Sequence, residues 1–124
     1  MADRARDFRK LQVWARAHAL TLEIYRLTRS FPRAEQYGLT SQMRRAAASV
    51  SANIAEGCGR GGKAELARFL RIAQGSISEL SYFIQLATDL QLLTSQSTAA
   101  LHQGSSEVAR MLASYRTRLD PPTS

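Results

Sequence analysis

From Leu39 to Leu119 the chain contains no proline, and its apolar residues recur at steps of four and three. The longest such series is Leu66, Leu70, Ala73, Ile77, Leu80, Ile84 and Ala87. A half-buried strand needs alternation at every second residue, so this spacing specifies an α-helix with one buried face. Phe69, Ile72 and Phe83 widen that face. A helix of this length with so broad an apolar side must be covered by other helices, because no alternating strand pattern stands out elsewhere.

Three further segments supply the cover. The first, about residues 8–30, carries Val13, Ala17, Leu20, Ile24 and Leu27 at heptad spacing, with a second stripe of Leu11, Trp14, His18, Thr21 and Tyr25 beside it. Two adjacent stripes exceed what one neighbour covers. Phe31-Pro32 stops this helix, since proline pushes the residue before it out of the α region. Tyr37-Gly38 then turns the chain, and Thr40 or Ser41 is the expected cap of a second helix, about 40–57. That helix runs through Met43, Ala46 or Ala47, Val50 and Ile54, among small residues that allow close approach, until Gly57, Gly59, Gly61 and Gly62 end it. The strong helix spans about 63–92, and Thr94 to Ser97 supplies a turn and cap. The fourth helix, about 97–118, has a thinner line: Leu101, Val108, Leu112, Tyr115 and Leu119, with Gly104 inside it. Interior glycine costs about 1 kcal/mol against alanine, so this helix leans most on packing. Short connections make successive helices antiparallel neighbours. The expected fold is all-α, an antiparallel up-down-up-down four-helix bundle, one domain over residues 1–119 with a disordered tail at 120–124.

A fold of 124 residues should bury roughly two thirds of its unfolded surface and needs no staple. Cys58 is the one cysteine, which rules out an intrachain disulfide and a cysteine metal cluster and suits a reducing compartment. No apolar run reaches the roughly 18 residues of a membrane span. The N-terminal segment Met1–Lys10 is charged with both signs, unlike a signal peptide. A cytoplasmic address, with no membrane, is expected. Seventeen basic and ten acidic residues leave a net charge of +7. Residues 1–60 hold eleven Arg/Lys against five Asp/Glu, and residues 61–124 six against five, so the surplus is expected from the first half. An anionic partner follows, either nucleic acid or an acidic protein surface.

Most candidate chemistry lacks its context. Gly57-Cys58-Gly59-Arg60-Gly61-Gly62 fits GxGxxG, but a helix precedes it where a dinucleotide site needs a strand. Arg60 and Lys63, with the free N–H groups opening the third helix, could hold one phosphate. His18 and His102 lie on different helices without companion ligands, so no metal is expected. No nucleophile carries an attached base, and neither a cofactor nor a small-molecule substrate has a visible seat; the chain is read as non-enzymatic. One polar constellation stands out. Arg45, Ser49, Asn53 and Glu56 share a face of helix two, while Glu65, Arg68, Ile72, Ser76 and Glu79 do much the same on helix three. Folding the two together should set Glu56 near Arg68, and Arg45 near Ser76 and Glu79, in a polar seam of salt bridges and amide bonds that fixes register.

Several of these stretches together resemble one family. Leu11-Gln-Val-Trp14-Ala-Arg-Ala17, Tyr37-Gly-Leu-Thr-Ser-Gln42, Arg44-Arg-Ala-Ala47, Ser49-Val50, Asn53-Ile-Ala-Glu-Gly57, Gly59-Arg60, Arg68-Phe-Leu-Arg-Ile-Ala73 and Gly75-Ser76 with Glu79-Leu80 look like the bacterial 23S rRNA-intervening sequence proteins. The likeness runs from about Phe8 to Leu93, with the fourth helix alike in length and periodicity only. Family members usually carry proline two positions before the asparagine, where this chain has Ser51. The resemblance implies an antiparallel bundle, ring-like homopentamers, no established enzymatic activity, and kinship with the basic, nucleic-acid-binding accessory variability determinant of diversity-generating retroelements. Arg44, Arg45, Asn53, Glu56, Gly57, Arg60, Arg68, Ser76 and Glu79 fall on its motif positions.

The leading expectation is an oligomeric bundle, pentameric by the resemblance, that binds structured RNA or an RNA–protein complex. Arg9, Lys10, Arg16, Arg26, Arg44, Arg45, Arg60 and Lys63 are the expected phosphate contacts. Trp14, His18 and Tyr25 are the candidate subunit interface, with simple burial in the bundle as the alternative. The second expectation is a scaffold for an acidic protein partner that ignores nucleic acid.

Overall fold

The computed structural model describes residues 6–119, so the expected tail at 120–124 lies outside the described residues. Four α-helices and no strand occur among them: α1 (Gln12–Thr28), α2 (Leu39–Gly59), α3 (Lys63–Asp89) and α4 (Ser95–Leu119).

Most boundaries have a local cause, and several differ from the sequence expectation; α4, for one, starts at Ser95 rather than near residue 97. The first helix starts at Gln12 rather than near Phe8. The Asp7 carboxylate accepts the Arg9 N–H at 3.0 Å and winds Phe8–Lys10 into a 3-10 turn, after which Leu11 is extended. Neither Thr40 nor Ser41 caps α2, for both lie inside it. Glu35, in the 3-10 turn Arg33–Glu35, does that work, accepting the Leu39 N–H at 3.2 Å through Oε1. Helix α3 ends at Asp89, earlier than the apolar pattern suggested. The Leu92 N–H donates to the Ala87 carbonyl and the Gln91 N–H to that of Thr88, both at 2.9 Å, with Gln91 at φ 62°. This is a Schellman closure with glutamine in the left-handed position where glycine is usual, so no glycine marks it. Thr94 accepts the Ser97 N–H at 3.0 Å and opens α4.

The connection after α2 uses its glycines in two ways. Gly61 adopts φ 89°, which turns the chain into α3. Gly57, by contrast, is buried within α2 and does not end it.

The core gathers the heptad positions of all four helices. Ile24, Met43, Ile54, Leu66, Leu70, Leu80, Ile84 and Leu112 are fully enclosed. Consecutive helices pack on one another and α1 also meets α4, as in a bundle. Hydrogen bonds mark the same contacts. Thr21 Oγ1 of α1 donates to the Ala47 carbonyl at 3.1 Å and lies 3.2 Å from Ser51 Oγ. Arg44 of α2 donates from Nε to Thr28 Oγ1 at 2.9 Å. Thr88 and Thr98 join α3 to α4 at 2.9 Å, and Arg116 donates to Gln74 nearer the other end of that pair. Ser51 keeps its N–H within an unbroken α2 and turns its hydroxyl to Thr21 of α1.

Gly104 is the weak point of α4. A Cβ built there meets only Leu20 Cδ1, at 3.4 Å, which is ordinary van der Waals contact. Gly104→Ala should therefore raise stability by about 1 kcal/mol, read as a higher midpoint in chemical denaturation.

Candidate nucleic-acid interface

The start of α1, the end of α2, the start of α3 and the end of α4 meet at one end of the molecule. There the Arg6 N–H donates to the Cys58 carbonyl at 2.9 Å, Lys10 to Val13 share a groove with Arg110 to Arg118, and Lys63 lies beside Leu119. Charge collects at this end. Among the described residues, Arg6, Arg9, Lys10 and Arg16, then Arg60, Lys63, Arg68 and Arg71, then Arg110, Arg116 and Arg118 make eleven cations against Asp7, Glu56, Glu65 and Glu107, a surplus of seven. The opposite end holds Arg26, Arg29, Arg33, Arg44 and Arg45 against Glu23, Glu35, Glu79 and Asp89, a surplus of one. This is not the asymmetry read along the sequence: residues 61–124 supply six of these eleven cations, while Arg26, Arg29, Arg33, Arg44 and Arg45 of the first half lie at the opposite end. The cations of α3 and α4 join those of the N-terminal segment.

Of the eight expected phosphate contacts, four face carboxylates. Arg9 pairs with Asp7 at 3.3 Å, Arg16 with Glu107 at 2.8 Å, Arg26 with Glu23 and Arg60 with Glu56 at 2.8 Å. Arg44 is spent on the fold, bonded to Thr28 with its guanidinium 4.7 Å above the Tyr25 ring. Lys10, Arg45 and Lys63 are exposed and stand outside these ion pairs. Arg71, Arg110 and Arg118, absent from the expected set, are exposed at the basic end. For Arg110 and Arg118 the signal was geometric rather than compositional, because a fourth helix lying beside the first brings its last turns to that helix's first turns; Arg71 lies two turns beyond Lys63 on α3.

The polar seam differs from its expected form. Ser49 and Ser76 join the helices at 2.8 Å, and Asn53 donates to the Ser49 carbonyl at 2.8 Å and to its hydroxyl at 3.0 Å. The expected ion pair between Glu56 and Arg68 is not formed. Glu56 holds Arg60, and Arg68 holds Glu65 at 3.0 Å, each within one turn of its own connection or helix. Partners three or four residues apart need no interhelical reach, so the local pair wins. Both Arg60 and Arg68 lie over the Phe69 ring, at 5.2 and 4.5 Å. Arg45 and Glu79 flank a shallow groove of about 400 Å³ with Ser49 between them.

Charge states follow the pairs. The hydrogen bond from Arg26 holds the Glu23 carboxyl below its usual range, and that from Arg68 does the same for Glu65. Such carboxylates add stability above their unfolded pKa and lose it as pH falls through the lowered value, although exposed pairs add little. Burial pushes the Cys58 thiol up. With its side chain enclosed, Cys58 should resist a thiol reagent at neutral pH and react fully once denaturant is added, as counted by the released chromophore.

Along the second stripe of α1, Trp14 is half-buried, stacked on His18 at 4.7 Å and met edge-on by Phe8 at 5.0 Å. Tyr25 is exposed under Arg44. No three His, Cys, Asp or Glu side chains cluster as metal ligands among the described residues, and no described helix is long and apolar enough to cross a membrane.

The chain matches the family model of the 23S rRNA-intervening sequence protein over residues 9–114. No curated protein matches its sequence. Among solved structures it is similar to a protein of unknown function of the S23 ribosomal protein family from Bacteroides thetaiotaomicron. The TM-score is 0.78, with 21% identity over 85% of this chain and 95% of that one. At that identity the likeness concerns the fold.

Proposed function

Since the chain belongs to the 23S rRNA-intervening sequence protein family, we propose that it is a non-enzymatic, oligomeric basic bundle that binds nucleic acid, with structured RNA or an RNA–protein complex as its target. The observation that carries this reading is the surplus, among the described residues, of seven cations at one end against one at the other. A field concentrated in this way attracts the phosphate backbone and releases counterions without needing base-specific contacts. An up-down-up-down course of the helices underlies it. Thr21 against Ser51 and Thr28 against Arg44 step in opposite directions along α1 and α2, as Gln74 with Arg116 and Thr88 with Thr98 do along α3 and α4. A pentameric ring would multiply the field on one rim.

The oligomer carries its own prediction. If the Trp14, His18 and Tyr25 stripe is the subunit contact, Trp14→Ala should give a folded particle of monomer mass by light scattering. Global unfolding instead would assign Trp14 to the bundle interior.

The binding reading is tested by titrating labelled RNA and DNA, duplex and single-stranded, at low and near-physiological salt. Affinity that falls linearly on log–log axes as salt rises, with a slope of several, supports it. Absence of binding even at low salt sinks it and leaves an acidic protein as the partner.

A further inference from the structure

Lys10, Arg110 and Arg118 rim a groove of about 580 Å³ between the start of α1 and the last turns of α4, and Leu11, Met111 and Tyr115 contribute its apolar surface. No carboxylate lines it among the described residues. The Arg118 guanidinium lies 5.3 Å from the Tyr115 ring centre and donates to Ser114 Oγ at 3.1 Å, which fixes it beside the aromatic surface. Tyr115 and Met111 are half-buried, while Lys10 and Arg110 are exposed at the mouth.

We infer that this groove takes an unpaired nucleotide of an RNA strand, with the base against Tyr115 and Met111 and the flanking phosphates on Lys10, Arg110 and Arg118. This rests on the nucleic-acid reading above and gives it a place and a preference. Three cations with no carboxylate among the described lining residues fit a ligand bearing several negative charges. An apolar, aromatic floor does nothing for an isolated phosphate and fits a flat ring. A strand supplies both, because each base has a phosphate on either side, and stacking on an aromatic side chain serves any base. The volume lies within the roughly 300–1,000 Å³ of small-ligand sites, ample for one base and its sugar. A duplex keeps its bases stacked and cannot fill the floor, so it engages only the rim.

The test compares a labelled 12-nucleotide oligouridylate with a 12-base-pair RNA duplex on the full chain. Tyr115→Leu keeps an apolar side chain there and removes the ring face. It should weaken oligouridylate binding about tenfold and leave the duplex within about twofold. Arg110→Gln, an exposed change that spares the core, should lower the oligouridylate salt slope by about 0.7, the value of one single-strand phosphate. Equal effects of Tyr115→Leu on both probes, or none on either, overturn the groove while the nucleic-acid reading stands. A Tyr115→Leu protein whose particle mass changes with RNA affinity intact also overturns it, making the groove a contact between copies. Wild-type protein that binds neither probe at low salt overturns both.

Discussion

Gly57→Val should be among the most damaging single substitutions in the protein, lowering stability by about 3 kcal/mol. A Cβ at Gly57 would lie 2.9 Å from Phe69 Cβ and 3.0 Å from Leu66 Cδ1, with the Leu66 Cα at 3.4 Å. These atoms belong to the first turns of α3 and cannot swing aside, because Leu66 is fully enclosed and Phe69 nearly so. Overpacking of this kind costs roughly 1–3 kcal/mol or more, and valine adds two further methyls to the clash. A loss near the top of that range corresponds to a melting point lower by roughly 10 °C. The controls have the opposite expectation. Cβ atoms at Gly59 and Gly75 meet nothing within 4 Å, so alanine there should leave the protein as stable or more so. If Gly57 were merely the end of a flexible connection, Gly57→Val would be as harmless as they are.

The second large effect concerns binding. Lys63, Arg71 and Arg110 are exposed at the basic end, and reversing all three to glutamate should reduce RNA affinity about a hundredfold near physiological salt. The matched reversal of Arg29, Arg33 and Arg45 changes net charge equally at the opposite end. It should weaken binding only a few-fold. All six positions are exposed and lie outside the core, so each triple variant should keep its helical content and melt within a few degrees of wild type, as circular dichroism reads. Equal losses from the two variants would mean that net charge rather than its placement governs binding.

Much of the fold was legible because helical spacing states which residues are buried. The series Leu66 to Ala87 is buried at every position, and the fourth helix follows its thin line through Leu101, Val108 and Leu112. What spacing does not state is where hydrogen bonds close the ends. Asp7, Glu35 and Gln91 set three boundaries by single contacts, and composition alone gives no reason to choose them over Thr40 or a glycine. Glycine was legible as a residue type but not by role. Gly57 serves close approach and Gly61 a positive φ, a distinction that needs the neighbouring helix.

The candidate site was legible in sign and not in position. Net charge pointed to an anionic partner, yet four of the eight expected contacts face carboxylates within about one turn or across a helix contact. Counting cations by half of the sequence missed Arg71, which follows Lys63 by two turns on α3, and Arg110 and Arg118, which belong to the basic end only once α4 lies along α1. The seam failed as a set of interhelical salt bridges for a related reason. Glu65 and Glu56 are closer to Arg68 and Arg60 along their own chain than the facing helix can offer, which leaves Ser49 and Ser76 as the direct link.

Hydrogen–deuterium exchange of the intact protein, with and without saturating RNA, tests most directly whether one end of the bundle is the binding surface. The expected result is slowed exchange confined to the start of α1, the α2–α3 connection with the first turns of α3, and the last turns of α4. Protection concentrated instead around residues 26–45 and 85–97, with the basic end unchanged, would contradict the account.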